Sequence, residues 1–205
     1  EMIKFLEKNP NVGVATCALK NKDDSIQSTG GYFPNLLNVF SWMTIQDLPL
    51  IDLFIKPFHP LHAKSFFFKG EDFYKNQRKM DWVTGAFLLT QKTIVEEIGG
   101  WDESYFMYME EVDLCYRVKR LGYEVGYLPN WSIVHLGGAS STISGYSILA
   151  EFDGVKNFFK KFYPEWEYPL LRLALKIGAL GRVVLFGILN GKEAANIYVS
   201  AFEKA

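Results

Sequence analysis

The chain has 205 residues, 49% of them hydrophobic and 22% charged, and a formal net charge of −1. These values exclude a disordered chain, leave room for one domain with a small appendage, and give no general electrostatic case for nucleic acid. Two cysteines, Cys17 and Cys115, stand too far apart for a metal or redox motif and read as free thiols of a reducing compartment.

Met2–Lys8 reads as the end of a helix stopped at Asn9-Pro10. This charged start has no apolar run of the signal-peptide kind. Val12–Leu19, VGVATCAL, is a nearly continuous apolar run of strand length, as expected of a buried strand. Asn21–Ser25, NKDDS, is a turn by composition, and Ile26–Ser28 a short strand. From Phe33-Pro34 to about Met80 the pattern is ambiguous, with prolines at 49, 57 and 60, and reads as loops and short helices.

Trp82–Leu89, WVTGAFLL, is expected to be a central strand. Gln91–Ile98 is a short helix with Gly99 as its stop. The next helix begins near Glu110, places Leu114, Val118 and Leu121 on one face, and ends at Gly122. Its acids sit in the first turn and Arg117, Lys119 and Arg120 in the last two, which complements the helix dipole. Tyr123–Leu128 alternates as a strand until Pro129, and Trp131–His135 is strand-like before Gly137-Gly138. Strand, helix and strand at these spacings predict an α/β fold.

Tyr168–Leu189 is strongly apolar but carries Arg172, Lys176 and Arg182, which disfavours a spanning helix. It reads as an amphipathic helix kinked near Gly178 and Gly181. Lys156–Lys192 holds seven basic residues against two acidic ones, which suits peripheral contact with an anionic leaflet; packing on the rest of the chain is the alternative.

The chemistry-bearing residues cluster in YFMYMEEVDLCYR, Tyr105–Arg117. From Thr93 to Asp113 there are seven acidic residues and no basic one. A helix start favours the ionised form of Glu110 and Glu111, so they suit a base or metal ligand rather than a general acid. Tyr105, Phe106 and Tyr108 would supply an apolar wall. A plain alternative is that acids in a first turn stabilise the helix by about 0.3–1 kcal/mol each. His135 ends a strand before the loop Gly137–Ser141, where a neutral imidazole could complete a metal shell. His59 and His62 flank a proline and have no carboxylate near them in sequence.

Taken together, residues 81–138 resemble the C-terminal half of the catalytic domain of family 2 glycosyltransferases, in particular bacterial rhamnosyltransferase-like enzymes. The resemblance lies in VTGAFLLT, GGWDESYFMYMEEVDLCYR, the GY…YLP strand and VHLGG, in that order and spacing. NPNVGVATCALKNKDDSIQSTGGYFP and EFDGVKNFFKKFY extend it to roughly residues 1–165.

The resemblance implies a GT-A fold and inverting transfer, with Mg²⁺ or Mn²⁺, from a dTDP- or UDP-sugar to a glycan or lipid-linked acceptor. It implies Glu111 as general base with Glu110 beside it, although many members have Asp there. It implies Asp113 as a third acid, His135 as a metal ligand, Trp82, Gly85 and Ala86 at the pocket, and Trp101 and Asp102 near the acceptor. It also implies a cytoplasmic enzyme at the inner face of the plasma membrane.

The uridine- or thymidine-binding strand and the Asp-x-Asp motif of that family have no counterpart here. Residues 1–150 are therefore expected to form the acceptor-side part of a partial GT-A domain, with 151–205 as a helical tail and no turnover from this chain alone. A non-catalytic carbohydrate- or membrane-binding module is the alternative. A metal hydrolase using Glu110, Glu111 and His135 is weaker, since no second histidine with ligand spacing appears.

Overall fold

A computed structural model describes residues 1–27, 29–44, 74–136 and 145–205. His59, His62 and the Gly137–Ser141 loop lie outside the described residues. In chain order the elements are α1 (Met2–Lys8), β1 (Val12–Lys20), β2 (Gly30–Gly31), α2 (Leu36–Thr44), β3 (Arg78–Met80), β4 (Trp82–Val83) and β5 (Leu89–Thr90). They continue with α3 (Lys92–Glu97), α4 (Glu110–Arg120), β6 (Glu124–Val134), α5 (Tyr146–Phe162), α6 (Glu167–Asn190) and α7 (Lys192–Lys204).

The apolar run of β1 predicts a doubly covered strand, and eight of its nine residues are buried. It pairs in parallel with β6 and antiparallel with β5, in a four-stranded sheet of order β3-β6-β1-β5. The parallel pair feeds two cores, with a register shift between Val12 and Val14. Val14, Ala18, Val125 and Tyr127 join Val112, Leu114, Cys115 and Val118 in the main one. Val12, Ala15 and Leu128 meet Leu6 of α1 in a smaller one. The turn after β1 forms as expected, with the Asn21 N–H donating to Ser25 O at 2.9 Å.

Three sequence expectations need correction. Trp82–Leu89 is not a central strand. Its first part, β4, pairs with β2, and its last part is the edge strand β5. Gly85 and Ala86 form an exposed turn between them; Thr84 Oγ1 accepts the Ala86 N–H, and the Thr16 hydroxyl donates to Phe87 O at 2.7 Å. Secondly, the two runs flanking Pro129 make one strand. Its register slips there, with Leu128 opposite Cys17 but Ser132 opposite Ala18. Proline lacks the ladder N–H, so the strand bulges around it rather than ending. Thirdly, Ile26 makes only an isolated bridge to Lys20, and Ser28 lies outside the described residues.

The apolar core runs across residue 150 without a break: Phe152, Val155, Phe158 and Phe159 of α5 share it with Leu171, Leu175 and Ala179 of α6. Arg182, expected to interrupt an apolar helix, is buried. Its guanidinium donates to Trp42 O at 2.6 Å and Met43 O at 3.0 Å, so the charge is hydrogen-bonded where it is desolvated.

The helix is one element from Glu167 to Asn190, and Gly178 serves close packing. A Cβ there would come within 2.5 Å of Met43 Cβ and 2.6 Å of its carbonyl oxygen. Gly178→Ala is expected to lower stability, because overpacking costs about 1–3 kcal/mol while helix propensity returns about 1 kcal/mol. Gly181→Ala, with nothing within 4 Å, is expected to raise it. Urea denaturation of the two variants reads the contrast; equal shifts would contradict the packing argument.

Candidate active site

Helix α4 carries the acid pair, and its direction decides where the pair lies. Its C-terminal part sits at the start of β1, since a Cβ on Gly13 would fall 2.7 Å from Val118 Cγ1. Its first turn therefore lies at the carboxyl ends of the parallel pair β1 and β6, the end at which open α/β sheets bind ligands.

The entry to α4 is unusual. Tyr108 and Met109 both have left-handed backbones, φ 65° and 73°, and no side chain caps the helix. Each such residue costs on the order of 1–2 kcal/mol. Packing holds the turn. Met109 is buried, and Gly154 of α5 presses on it so closely that a Cβ there would lie 2.7 Å from Met109 Cγ.

Of the expected aromatic wall, Tyr105 turns into the core and Phe106, 83% exposed, into solvent, where its ring meets that of Tyr146 edge-on. Tyr108 stays near the acids: burial, with Glu151, Glu110 and Glu111 nearby, raises its phenol above the usual range.

Glu111 faces the exposed Gly85–Ala86 turn, its Cβ 3.9 Å from where a Gly85 Cβ would stand. Glu110 Oε2 is buried without a hydrogen-bond partner among the described residues. Burial pushes the Glu110 carboxyl above the ordinary range. An acid raised in the folded state destabilises that state once pH exceeds its unfolded value. Glu110→Gln is therefore expected to raise the melting temperature at neutral pH. The gain should vanish below about pH 4, where both states hold the proton. Melting curves across that range check this, and a loss at neutral pH would refute it.

Asp113 is fully buried and its oxygens are engaged inside the protein. Oδ2 accepts from Arg117 Nε and lies 2.6 Å from Arg117 Nη2; Oδ1 accepts from Lys161 of α5 at 2.6 Å. Lys161 also donates to Asp102 at 2.6 Å, and Arg117 to the carbonyls of Ile98 and Gly100. Lys161, aided by Ser104, holds the Asp102 carboxyl down at about 2. Asp102 and Asp113 thus form one latch across α4, α5 and the preceding loop. Trp101 beside them is 47% exposed. Trp82 is buried, its indole N–H donating to Tyr32 O at 2.9 Å.

His135 follows β6 at the same sheet end as the acid pair, its N–H donating to Lys20 O at 2.9 Å. Its Nδ1 lies 2.8 Å from Gln27 Oε1. The Gln27 amide N–H groups reach His135 O and Asn21 Oδ1, so Oε1 is left as acceptor and Nδ1 carries the proton. That tautomer leaves Nε2 with a lone pair, the state of a ligating imidazole. Among the described residues, no three or more His, Cys, Asp or Glu side chains converge into a metal site. His135 therefore offers one nitrogen and not a shell.

Glu111 stands beside the Gly85–Ala86 turn with Glu110 next to it in the first turn of α4, and His135 follows the end of β6. Asp102 and Asp113 are committed to the latch. Sequence reasoning missed Gln27, Lys161 and the left-handed Tyr108–Met109 turn. Gln27 lies 108 residues from His135, and no local pattern signals either partnership.

No protein-family model matches the chain. It is 26% identical over 126 residues to N-acetylglucosaminyl-diphospho-decaprenol L-rhamnosyltransferase of Mycobacterium tuberculosis, covering 62% of this chain and 38% of that protein. Over 56 residues it is 36% identical to Rhamnosyltransferase WbbL of Escherichia coli, covering 27% of this chain and 21% of the relative. Over 79 residues it is 29% identical to Low-salt glycan biosynthesis hexosyltransferase Agl10 of Haloferax volcanii, covering 38% and 26%. The relatives are glycosyltransferases, matched at low identity and over less than half of their length.

Proposed function

We propose that this chain forms the acceptor-side part of a GT-A glycosyltransferase domain. The reaction we assign is inverting sugar transfer from a dTDP- or UDP-sugar to a hydroxyl of a glycan or lipid-linked acceptor, in bacterial cell-surface polysaccharide synthesis at the cytoplasmic face of the membrane. The observation that carries this reading is the pair Glu110–Glu111 in the first turn of α4, at the carboxyl ends of the parallel strands and against the exposed Gly85–Ala86 turn. The decaprenol-linked compound in the mycobacterial relatives' name supports a lipid-linked acceptor.

Glu111 is the base. Its carboxylate takes the acceptor hydroxyl's proton as that oxygen bonds to the anomeric carbon, and the nucleoside diphosphate leaves from the opposite face of the sugar with the electrons of the broken C–O bond. Glu110, made less acidic by burial, lines the same turn and need not ionise. Gly85 and Ala86 are the small, exposed neighbours of Glu111.

Mg²⁺ or Mn²⁺, when bound, would supply charge stabilisation to the departing diphosphate. Among the described residues, His135 Nε2 is the ligand this reading assigns to it. One imidazole does not by itself make the oxygen-rich shell a hard cation prefers.

A transfer assay on the full-length protein with radiolabelled nucleotide-sugars tests the reaction. A product with the anomeric configuration opposite to the donor's is expected; a retained configuration would sink the base mechanism.

A further inference from the structure

Helix α6 has two unlike sides. Leu171, Ala174, Leu175, Gly178, Ala179 and Arg182 are buried against the chain. Leu170, Leu173, Ile177, Leu180, Val184 and Ile188 are all exposed, Ile188 by 79%. At 100° per residue these six fall within an arc of about 80°, and they extend over roughly 27 Å of helix. Trp166, 64% exposed, continues the line at its N-terminal end. No charged residue falls within the arc. Neighbouring helices add Leu37 and Phe40 of α2 and Val199 and Phe202 of α7, also exposed. Six exposed apolar side chains in one arc of a single helix mark a contact site rather than ordinary scatter.

We infer that this face of α6 rests on an anionic lipid surface, lying in the plane of the headgroup–acyl boundary. By length and composition the helix could also cross a bilayer. Its other side argues against that, since it packs on the chain's core and commits Arg182 to the α2 carbonyls. Charge selects the occupant. Exposed Arg172 stands off the apolar arc, and Lys176 lies over the Phe202 ring at 5.3 Å. Of the seven basic residues in Lys156–Lys192, Arg182 is buried and Lys161 and Lys156 are held by acids of the chain, which leaves Lys160, Arg172, Lys176 and Lys192 at the surface. In a symmetric dimer through this face, like-charged margins would meet; anionic headgroups would neutralise them. Trp166 suits the boundary layer, with an apolar ring and a polar N–H.

This inference stands on the surface of α6 and is read without any transfer assay, so it and the proposed reaction can fail separately. The experiment is flotation of the protein with vesicles of phosphatidylcholine, alone or mixed with phosphatidylglycerol. Wild type is expected to float with the mixed vesicles, and less as salt is raised. The triple variant Leu173→Ser, Ile177→Ser, Leu180→Ser alters only exposed side chains and should keep its circular dichroism, while its bound fraction falls about tenfold or more. Brominated acyl chains should quench tryptophan emission in wild type and much less in Trp166→Phe. Failure of wild type to float, or undiminished flotation of the triple variant, would overturn the inference. So would self-association without lipid that the triple variant abolishes, in place of flotation. Equal flotation on both vesicle compositions would overturn the anionic assignment.

Discussion

Under the proposed mechanism, replacing Glu111 by Gln is expected to lower kcat for sugar transfer by roughly 10²–10⁴-fold, the usual contribution of a positioned general base. Glutamine keeps the size and the first-turn position of the side chain. It cannot accept the acceptor's proton as the new bond forms. Donor affinity should stay near wild type, because the substitution removes an interaction needed in the transition state rather than in the bound ground state. Glu111→Asp should retain partial activity, since it restores the carboxylate on a shorter arm. Steady-state kinetics with isothermal titration of the donor separates these effects. A Glu111→Gln enzyme with kcat near wild type would remove the base assignment and leave Glu111 as a helix-start acid.

The second large effect concerns stability. Asp113→Ala is expected to cost about 3–5 kcal/mol, as breaking a buried pair by removing one partner generally does. Asp113 is wholly buried and receives both Arg117 and Lys161, so its loss takes the charged partner from Arg117 and leaves Lys161 with Asp102 alone. Asp113→Asn should cost nearly as much, because an amide presents only one acceptor oxygen and turns donors toward Arg117 or Lys161. Lys161→Met, which removes a half-exposed partner and leaves Arg117 on Asp113, should cost less. Chemical denaturation of the three variants tests the order. A loss of under about 1 kcal/mol for Asp113→Ala would mean that the latch behaves as an ordinary surface pair.

The two residues show how closely neighbouring acids can differ. Glu111 and Asp113 lie two positions apart on α4, about 200° around the helix by its geometry. One turns toward the Gly85–Ala86 turn, the other into the contact with α5. Gly154→Val offers a route to the same site through the backbone, because α5 holds the Tyr108–Met109 turn from above.

The sequence alone determined the elements whose signals are local. The apolar run of β1, the stop at Asn9, the acidic start and basic end of α4, and the glycine turns after α3 and α4 are written in consecutive residues, because hydrophobic period, capping and dipole act within a few positions. The order of motifs in residues 81–138 also pointed to sugar transfer, as the relatives do. Only the tertiary structure decided which apolar runs become central strands. VGVATCAL and the strand around Pro129 pair in parallel, while WVTGAFLL is divided by an exposed turn, and pairing is settled by partners far along the chain. Tertiary structure also decided which acid lies beside the exposed Gly85–Ala86 turn and which is spent inside. Asp113 meets Lys161 and His135 meets Gln27 across separations that no local pattern encodes, since ion pairing and side-chain hydrogen bonding depend on distance in space and not on spacing in sequence.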